Sequence, residues 1–329
     1  MAKVRFLIIR FSSIGDIVLT TPVIRTLSQQ VEGAEVHYLT KPAFASILAA
    51  NPYVHKVHLL QESFSATMEE LKAEHFDYVI DLHKNLRTLR VKSSLKTLSF
   101  SFDKLNRQKW LLVNFKRNKM PDLHIVDRYM ATTESFDVKN DEKGLDYFIP
   151  ENDEVDLKKL DPALEDGFIA FVVGAAHQTK RLEKEQMVDF CRKVKHPVVL
   201  LGGPENKEEG EEIAKRAGSR QVINACGFFS INQSASLVKQ ARVVVTPDTG
   251  LMHIAAAFGK NILSVWGNTV PGFGMYPYQP GEKSEILEIK GLSCRPCSKI
   301  GFEKCPENHF KCIREIDIPG LAEKANRLF

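Results

Sequence analysis

Short apolar runs alternate along this chain with stretches whose apolar residues recur at three- and four-residue spacing, and this alternation narrows the possible folds most. Residues 4–9 (VRFLII) form the first run. Ile14, Ile17, Val18, Thr21, Ile24 and Leu27 then mark one face of a helix, and 36–39 reads as the next strand. Runs at 57–60 and 78–82 continue the series, with a helix-like stretch at 66–73 between them. Further on, 168–173, 197–201, 221–224, 242–245 and 262–266 read as strands, and helices begin near Glu183, Glu205, Asn232 and Leu251. Strands that are apolar throughout need cover on both faces, as in a parallel sheet flanked by helices. The expectation is an α/β chain built on parallel sheets.

A length of 329 residues suits two domains of roughly 100–200 residues each. With 43% hydrophobic and 26% charged residues, the chain can bury substantial cores, which excludes disordered, collagenous and disulfide-scaffold classes. A polar stretch at 139–143, followed by Pro150-Glu151-Asn152-Asp153, marks the expected boundary between a first domain, 1–150, and a second, 151–314. In such sheets ligands sit at the carboxyl ends of the strands, and a site shared by two domains lies in the cleft between them. The chain lacks G-x-G-x-x-G, a Walker A loop and H-E-x-x-H, so dinucleotide binding, P-loop phosphoryl transfer and zinc hydrolysis lose support. No apolar run approaches the ~18 residues of a membrane span, and 4–9 lacks a signal peptide's cleavage pattern. A cytoplasmic location is expected.

The net charge of +4 is unevenly placed: residues 82–120 hold eleven Lys or Arg against one acid, Asp103. A solvated face is the plain reading of a charge run. So few carboxylates favour an anionic partner, either a phosphate-bearing substrate or a membrane surface. Nucleic acid is disfavoured, because the run matches no RNA- or DNA-binding motif.

Three strand-to-helix turns carry candidate chemistry. In Ser12-Ser13-Ile14-Gly15-Asp16, Ser or Asp can serve merely as a helix cap, whereas Gly15 permits close approach of a substrate and Asp16 offers a general base. In 246–253 (TPDTGLMH), the free N–H groups of a helix start suit phosphate oxygens, Asp248 is a candidate cap, and His253 is either a core histidine or a ligand contact. In 174–181 (GAAHQTKR), small residues precede the paired cations Lys180 and Arg181, which suit a diphosphate.

Together these residues resemble the bacterial lipopolysaccharide heptosyltransferases of glycosyltransferase family 9, over nearly the whole chain. The strongest parts are 11–22 (FSSIGDIVLTTP) and 247–259 (PDTGLMHIAAAFG). The resemblance implies a GT-B fold: two Rossmann-like parallel-sheet domains with the active site in the interdomain cleft, acceptor on the first and nucleotide sugar on the second. It makes Asp16 the base that deprotonates the acceptor hydroxyl and Lys180 a partner of the donor diphosphate. Asp248 would contact the sugar, Thr249, Gly250 and Leu251 would present backbone groups to the diphosphate, and His253 would support that loop or touch the donor. Glu205 falls where the family binds the ribose and Phe229 where it lines the base pocket. Ala175 and Ala176 stand where some members carry hydroxyl residues, and Lys180-Arg181-Leu182 replaces a frequent Lys-Arg-Trp.

The implied reaction is an inverting, metal-independent transfer of heptose from ADP-heptose to an anionic, lipid-linked lipopolysaccharide inner-core saccharide at the cytoplasmic membrane face. Ser13, Gly15, Lys84 and Arg87 are the candidate acceptor contacts, with His83 and Arg90 nearby in sequence. Residues 315–329 would form a terminal helix packing back on the first domain. The alternatives are a transferase of the same fold using another nucleotide sugar, and a nucleotide-sugar-binding protein without turnover.

Cys294, Cys297, Cys305 and Cys312 form C-x2-C-x7-C-x6-C, with His309 between the last two. This spacing suits one structural zinc ion, and equally reduced thiols packed in a loop; disulfide or redox pairing is the third reading. Cys191 and Cys226 read as ordinary buried thiols. No cofactor is expected for catalysis itself.

Overall fold

The computed structural model describes residues 3–218 and 221–329. It divides into two compact units, one of Met1–Leu105 and Leu123–Pro150, the other of Asn106–Asp122 and Glu151–Phe329. The first contains strands β1 (Val4–Ile9), β2 (Ala34–Thr40), β3 (Lys56–Leu59), β4 (Tyr78–Asp81) and β5 (Leu98–Ser101) with helices α1 (Ile14–Val18), α2 (Thr21–Gln30), α3 (Phe64–Ala73) and α4 (Leu86–Leu95). Helix α5 (Asn106–Phe115) belongs to the second unit, and the chain then returns to the first for α6 (Ile125–Met130). All pairings are parallel, in the order β3-β2-β1-β4-β5.

Residues Phe6 to Ile9 of the central strand are fully buried, as its unbroken apolar run requires. Leu7, Ile9 and Phe11 pack against Met68, Leu71 and Val91 of α3 and α4 on one face. The Phe6 ring, on the other, meets Tyr78 and Phe136 at centroid distances of 5.4 and 5.1 Å. The single helix expected after β1 is two, α1 and α2. Thr20 occupies the N-cap position of the second helix, and Pro22 in its first turn lacks the N–H that a continuous helix would use.

The second unit holds β6 (Ile169–Val172), β7 (Val198–Leu201), β8 (Val222–Asn224), β9 (Val243–Pro247), β10 (Asn261–Trp266) and β11 (Glu285–Glu288). They form one parallel sheet ordered β11-β10-β9-β6-β7-β8. Its helices are α7 (Leu157–Leu160), α8 (Lys184–Lys193), α9 (Lys207–Ala217), α10 (Ile231–Gln240), α11 (Gly250–Ala257), α12 (Lys311–Arg314) and α13 (Ile318–Leu328). The terminal helix α13 differs from expectation, because it packs within this second unit. Its stripe Ile318, Leu321, Ala322 and Ala325 enters the core that contains Met187 and Phe190 of α8. Burying a residue such as Leu321 there stabilises by about 1.5–3 kcal/mol.

Strand order reverses at one place in each sheet, between β1 and β4 in the first and between β6 and β9 in the second. In open α/β sheets that is where ligands bind, just beyond the carboxyl ends of the two strands. Among the described residues, no helix is long and apolar enough to cross a membrane.

Candidate active site

In the first unit, the residues that follow β1 and β4 meet around Asp16. The turn Ser12-Ser13 leads into α1 with Ser13 at its N-cap and Asp16 in the first turn, where the helix start favours negative charge. The Asp16 carboxylate accepts hydrogen bonds from the Ser13 backbone N–H (3.1 Å) and hydroxyl (2.9 Å). Arg10, directly after β1, places Nη2 at 2.6 Å from Asp16 Oδ1, with side chains 10% and 17% exposed respectively. The same guanidinium donates to the carbonyl oxygens of Ser12 (2.8 Å) and Leu82 (2.6 Å) and to the Tyr129 hydroxyl (3.1 Å). Burial pushes the Asp16 carboxyl toward protonation, but the Arg10 charge and the Ser13 hydrogen bonds outweigh it and hold the pKa below the ordinary carboxylate value. Asp16 is therefore ionised, fixed in direction and still reachable by solvent.

Phe11 links this turn to the segment after β4. Its ring lies 5.0 Å from that of His83 and 5.9 Å from the Arg87 guanidinium. Asp81, the last residue of β4, accepts the backbone N–H groups of His83 (3.1 Å) and Lys84 (2.7 Å) and pairs with Lys92 at 2.9 Å. Burial, then the charges of Arg10 and Lys104, lower the His83 pKa to about 4, so its ring is neutral at physiological pH. Lys84 and Arg87 are exposed, Gly15 is buried and Ser13 is exposed.

In the second unit the candidate donor residues follow successive strands in chain order. Lys180 comes after β6, Glu205 after β7, Phe229 after β8, Asp248 after β9 and Thr269 after β10. Lys180 Nζ lies 2.6 Å from Asp248 Oδ2 and 3.3 Å from the Asp248 carbonyl oxygen, and the Thr269 hydroxyl donates to the same carboxylate at 3.0 Å. The two residues thus come from the strands that flank the reversal. Asp248 does not cap α11, since its carboxylate is engaged with Lys180 and Thr269. Thr249 occupies the N-cap and makes no side-chain cap bond. The helix start at Gly250 and Leu251 consequently keeps backbone donors for an anion.

The expected pair of cations is divided. Arg181 turns to Glu209 (2.6 Å) and Gln178 (2.7 Å), away from Asp248's partner Lys180. The turn bearing Lys180 is held by its neighbour Thr179, whose hydroxyl bonds Asn268 at 3.1 Å and whose carbonyl accepts the Asn268 N–H at 3.1 Å. Gly267 permits that approach, because a Cβ there would lie 2.3 Å from the Thr179 carbonyl oxygen. His253 is buried within α11, Glu205 is exposed and Phe229 is half-buried. Gly203 leaves room for Glu205, whose carboxylate would lie 2.4 Å from a Cβ at that position.

The cysteines of the 294–312 segment are free thiols. Cys294 Sγ lies 3.9 Å from His309 Nε2, and the Cys297 thiol donates to the Cys294 carbonyl at 3.1 Å. Among the described residues, the groups with three ligand atoms within 4.8 Å of one another are Glu35/His37/His55 and His37/His58/Glu74, which lie elsewhere.

Sequence reasoning missed Arg10 and Thr269. A cation directly after the buried run 4–9 was the available signal for Arg10. Its partners Leu82 and Tyr129 lie 72 and 119 positions away, beyond any local pattern.

Comparison with known proteins bears on the family and the fold. The family model described as glycosyltransferase family 9 (heptosyltransferase) matches residues 65–305. Lipopolysaccharide heptosyltransferase 1 of Pseudomonas aeruginosa is 26% identical over 90% of this chain and 86% of its own length. Lipooligosaccharide heptosyltransferase 2 of Haemophilus influenzae is 24% identical over 86% and 88%. Among solved structures, E. coli ADP-heptose lps heptosyltransferase II superposes with a TM-score of 0.73 at 18% identity, covering 98% of both chains. An E. coli heptosyltransferase with ADP gives 0.71 at 20% identity, covering 99% of this chain and 100% of the other. The fold is accordingly GT-B, with two parallel-sheet α/β domains. The family model spans most of the chain, which belongs to glycosyltransferase family 9 (heptosyltransferase) and is a glycosyltransferase.

Proposed function

We propose that this glycosyltransferase moves heptose from ADP-heptose to a lipopolysaccharide inner-core saccharide in one inverting displacement. The acceptor oxygen attacks the anomeric carbon, its proton passes to Asp16, and the bond to the diphosphate breaks so that ADP leaves with the electron pair. Because Asp16 is held below the ordinary carboxylate pKa, it is a weak base, and proton transfer comes late, once the attacking hydroxyl has grown acidic. Lys180 and the open start of α11 receive the charge that develops on the leaving diphosphate, the role a divalent metal would otherwise fill. Relatives named as heptosyltransferases, and a solved structure of an E. coli heptosyltransferase with ADP-2-deoxy-2-fluoro heptose, support the donor.

Glu205 is assigned to the ribose and Phe229 to the base, with Asp248 on the sugar and Ser13, Gly15, Lys84 and Arg87 on the acceptor. The eleven cations of residues 82–120 support an anionic, lipid-borne acceptor and peripheral contact with the cytoplasmic face of the inner membrane. The observation that carries the reading is the Lys180–Asp248 contact at the strand reversal, beside an uncapped helix start. Asp16→Asn tests the transfer step: the variant should bind ADP normally and lose transfer by about a hundred- to ten-thousandfold. Wild-type turnover in Asp16→Asn would remove Asp16 from the role of base.

A structural zinc ion on Cys294, Cys297, Cys305 and Cys312 is proposed beside the rival reading of reduced thiols, because no three ligand atoms among the described residues of this segment lie within 4.8 Å of one another. The 3.9 Å between Cys294 Sγ and His309 Nε2 is near the ~3.6 Å between sulfur and nitrogen ligands on one tetrahedral ion, which also makes His309 a rival ligand. Elemental analysis should find about one zinc per chain, lost in Cys294→Ser/Cys312→Ser. Metal-free wild-type protein with unchanged melting would reject the assignment.

A further inference from the structure

The stretch Asn106–Asp122 is the part of the basic region that belongs to the second unit, and none of the residues individually assigned above to acceptor or donor lies in it. Helix α5 buries Leu112 and exposes Trp110 and Phe115, which are 50% and 55% accessible. The two rings meet edge to face at a centroid distance of 5.0 Å, forming one aromatic patch. Five cations accompany it, Arg107, Lys109, Lys116, Arg117 and Lys119, against the single acid Asp122. Lys116 ties the end of the helix down by donating to the carbonyls of Val113 (2.7 Å) and Pro296 (2.8 Å). Arg107, Arg117 and Lys119 are exposed.

Leaving an indole and a phenyl ring side by side in water is unfavourable, so such a pair marks a contact surface. Aromatic rings sit well at the headgroup level of a bilayer, and nearby Lys and Arg gain from anionic lipid phosphates. We propose that α5 and the following residues to Asp122 dock the protein on an anionic phospholipid bilayer, Trp110 and Phe115 entering the interface and the cations meeting lipid phosphates. This deepens, and rests on, the reading that the acceptor is lipid-borne. A second copy of the chain is the poorer occupant, since it would bring like charges together.

The chain has two tryptophans, and Trp266 is 1% exposed, so a fluorescence shift on docking reports Trp110. With mixed phosphatidylglycerol and phosphatidylcholine vesicles, the expected results are a blue shift and co-sedimentation, both absent with phosphatidylcholine alone. Arg117→Gln/Lys119→Gln should weaken vesicle partitioning by roughly 30-fold, about fivefold for each charge. Trp110→Ser/Phe115→Ser should weaken partitioning by roughly tenfold and leave transfer to a water-soluble acceptor unchanged. Vesicle binding uses no sugar substrate, so it fails or succeeds independently of the donor and acceptor assignment. Absence of binding, binding unaffected by either double variant, or loss of a dimer in Trp110→Ser/Phe115→Ser would each overturn the docking surface.

Discussion

Arg10→Gln keeps a side chain of similar reach and takes away its charge. Arg10 serves four acceptors: Asp16, the Ser12 and Leu82 carbonyls and the Tyr129 hydroxyl. Breaking a buried ion pair by removing one partner costs about 3–5 kcal/mol. The carboxamide N–H groups can restore one bond, to Ser12 or Leu82, worth about 1 kcal/mol, so the net loss should be about 2–4 kcal/mol. That is a large share of a typical stability of about 5–15 kcal/mol. The effect on Asp16 is more specific. In the wild type its pKa is depressed by Arg10 and Ser13, so the stability it contributes is present above about pH 4 and lost as pH falls through the folded value. Without Arg10, burial is the dominant influence and the pKa rises above the unfolded value. The group's contribution then falls, instead of rising, as pH increases above about 4. Urea unfolding across a pH series should show this change of sign, and the acid limb of kcat/KM should move toward neutrality. A variant with the wild-type urea midpoint and the wild-type pH profile would refute the claim that Arg10 keeps Asp16 ionised.

Two further outcomes test the second unit. Lys180→Ala should lower kcat by about a hundred- to a thousandfold and weaken thermal stabilisation by ADP, while Asp248 keeps its 3.0 Å bond to Thr269 and the fold is retained; kcat within twofold of wild type would contradict its charge-stabilising role. Gly267→Ala should cost about 1–3 kcal/mol by melting and weaken ADP binding, because the new methyl meets the Thr179 carbonyl at 2.3 Å and Ile313 at 2.9 Å; unchanged melting and ADP affinity would show that the loop yields freely.

The central strands were legible in the sequence because they are covered on both faces, which demands apolar residues at every position. The same logic explains what was not. Edge strand β11 (EILE) has a Glu at each end, and β5 (LSFS) is half-exposed, so neither forms an unbroken apolar run. Helices α4 and α5 were hidden in a charge run because only one side of each is buried, at Thr88 and Val91 and at Leu112. Asp16, Lys180 and Asp248 could be singled out as candidates because they sit in strand-to-helix connections. What joins them to Arg10 and Thr269 is tertiary. The separate fates of Lys180 and Arg181 depend on Glu209, which α9 brings to Arg181 and which no spacing in 174–181 reveals.

The passage of residues 106–122 into the second unit has a practical consequence for anyone cutting the gene. Neither unit is a contiguous stretch of polypeptide. A fragment ending at Pro150 carries α5 away from the residues that cover Leu112, and a fragment beginning at Glu151 lacks it altogether. Chimaeras spliced at the single junction between Pro150 and Glu151 would therefore give each half a mismatched piece. A faithful exchange has to move two segments together, or transplant 106–122 along with 151–329.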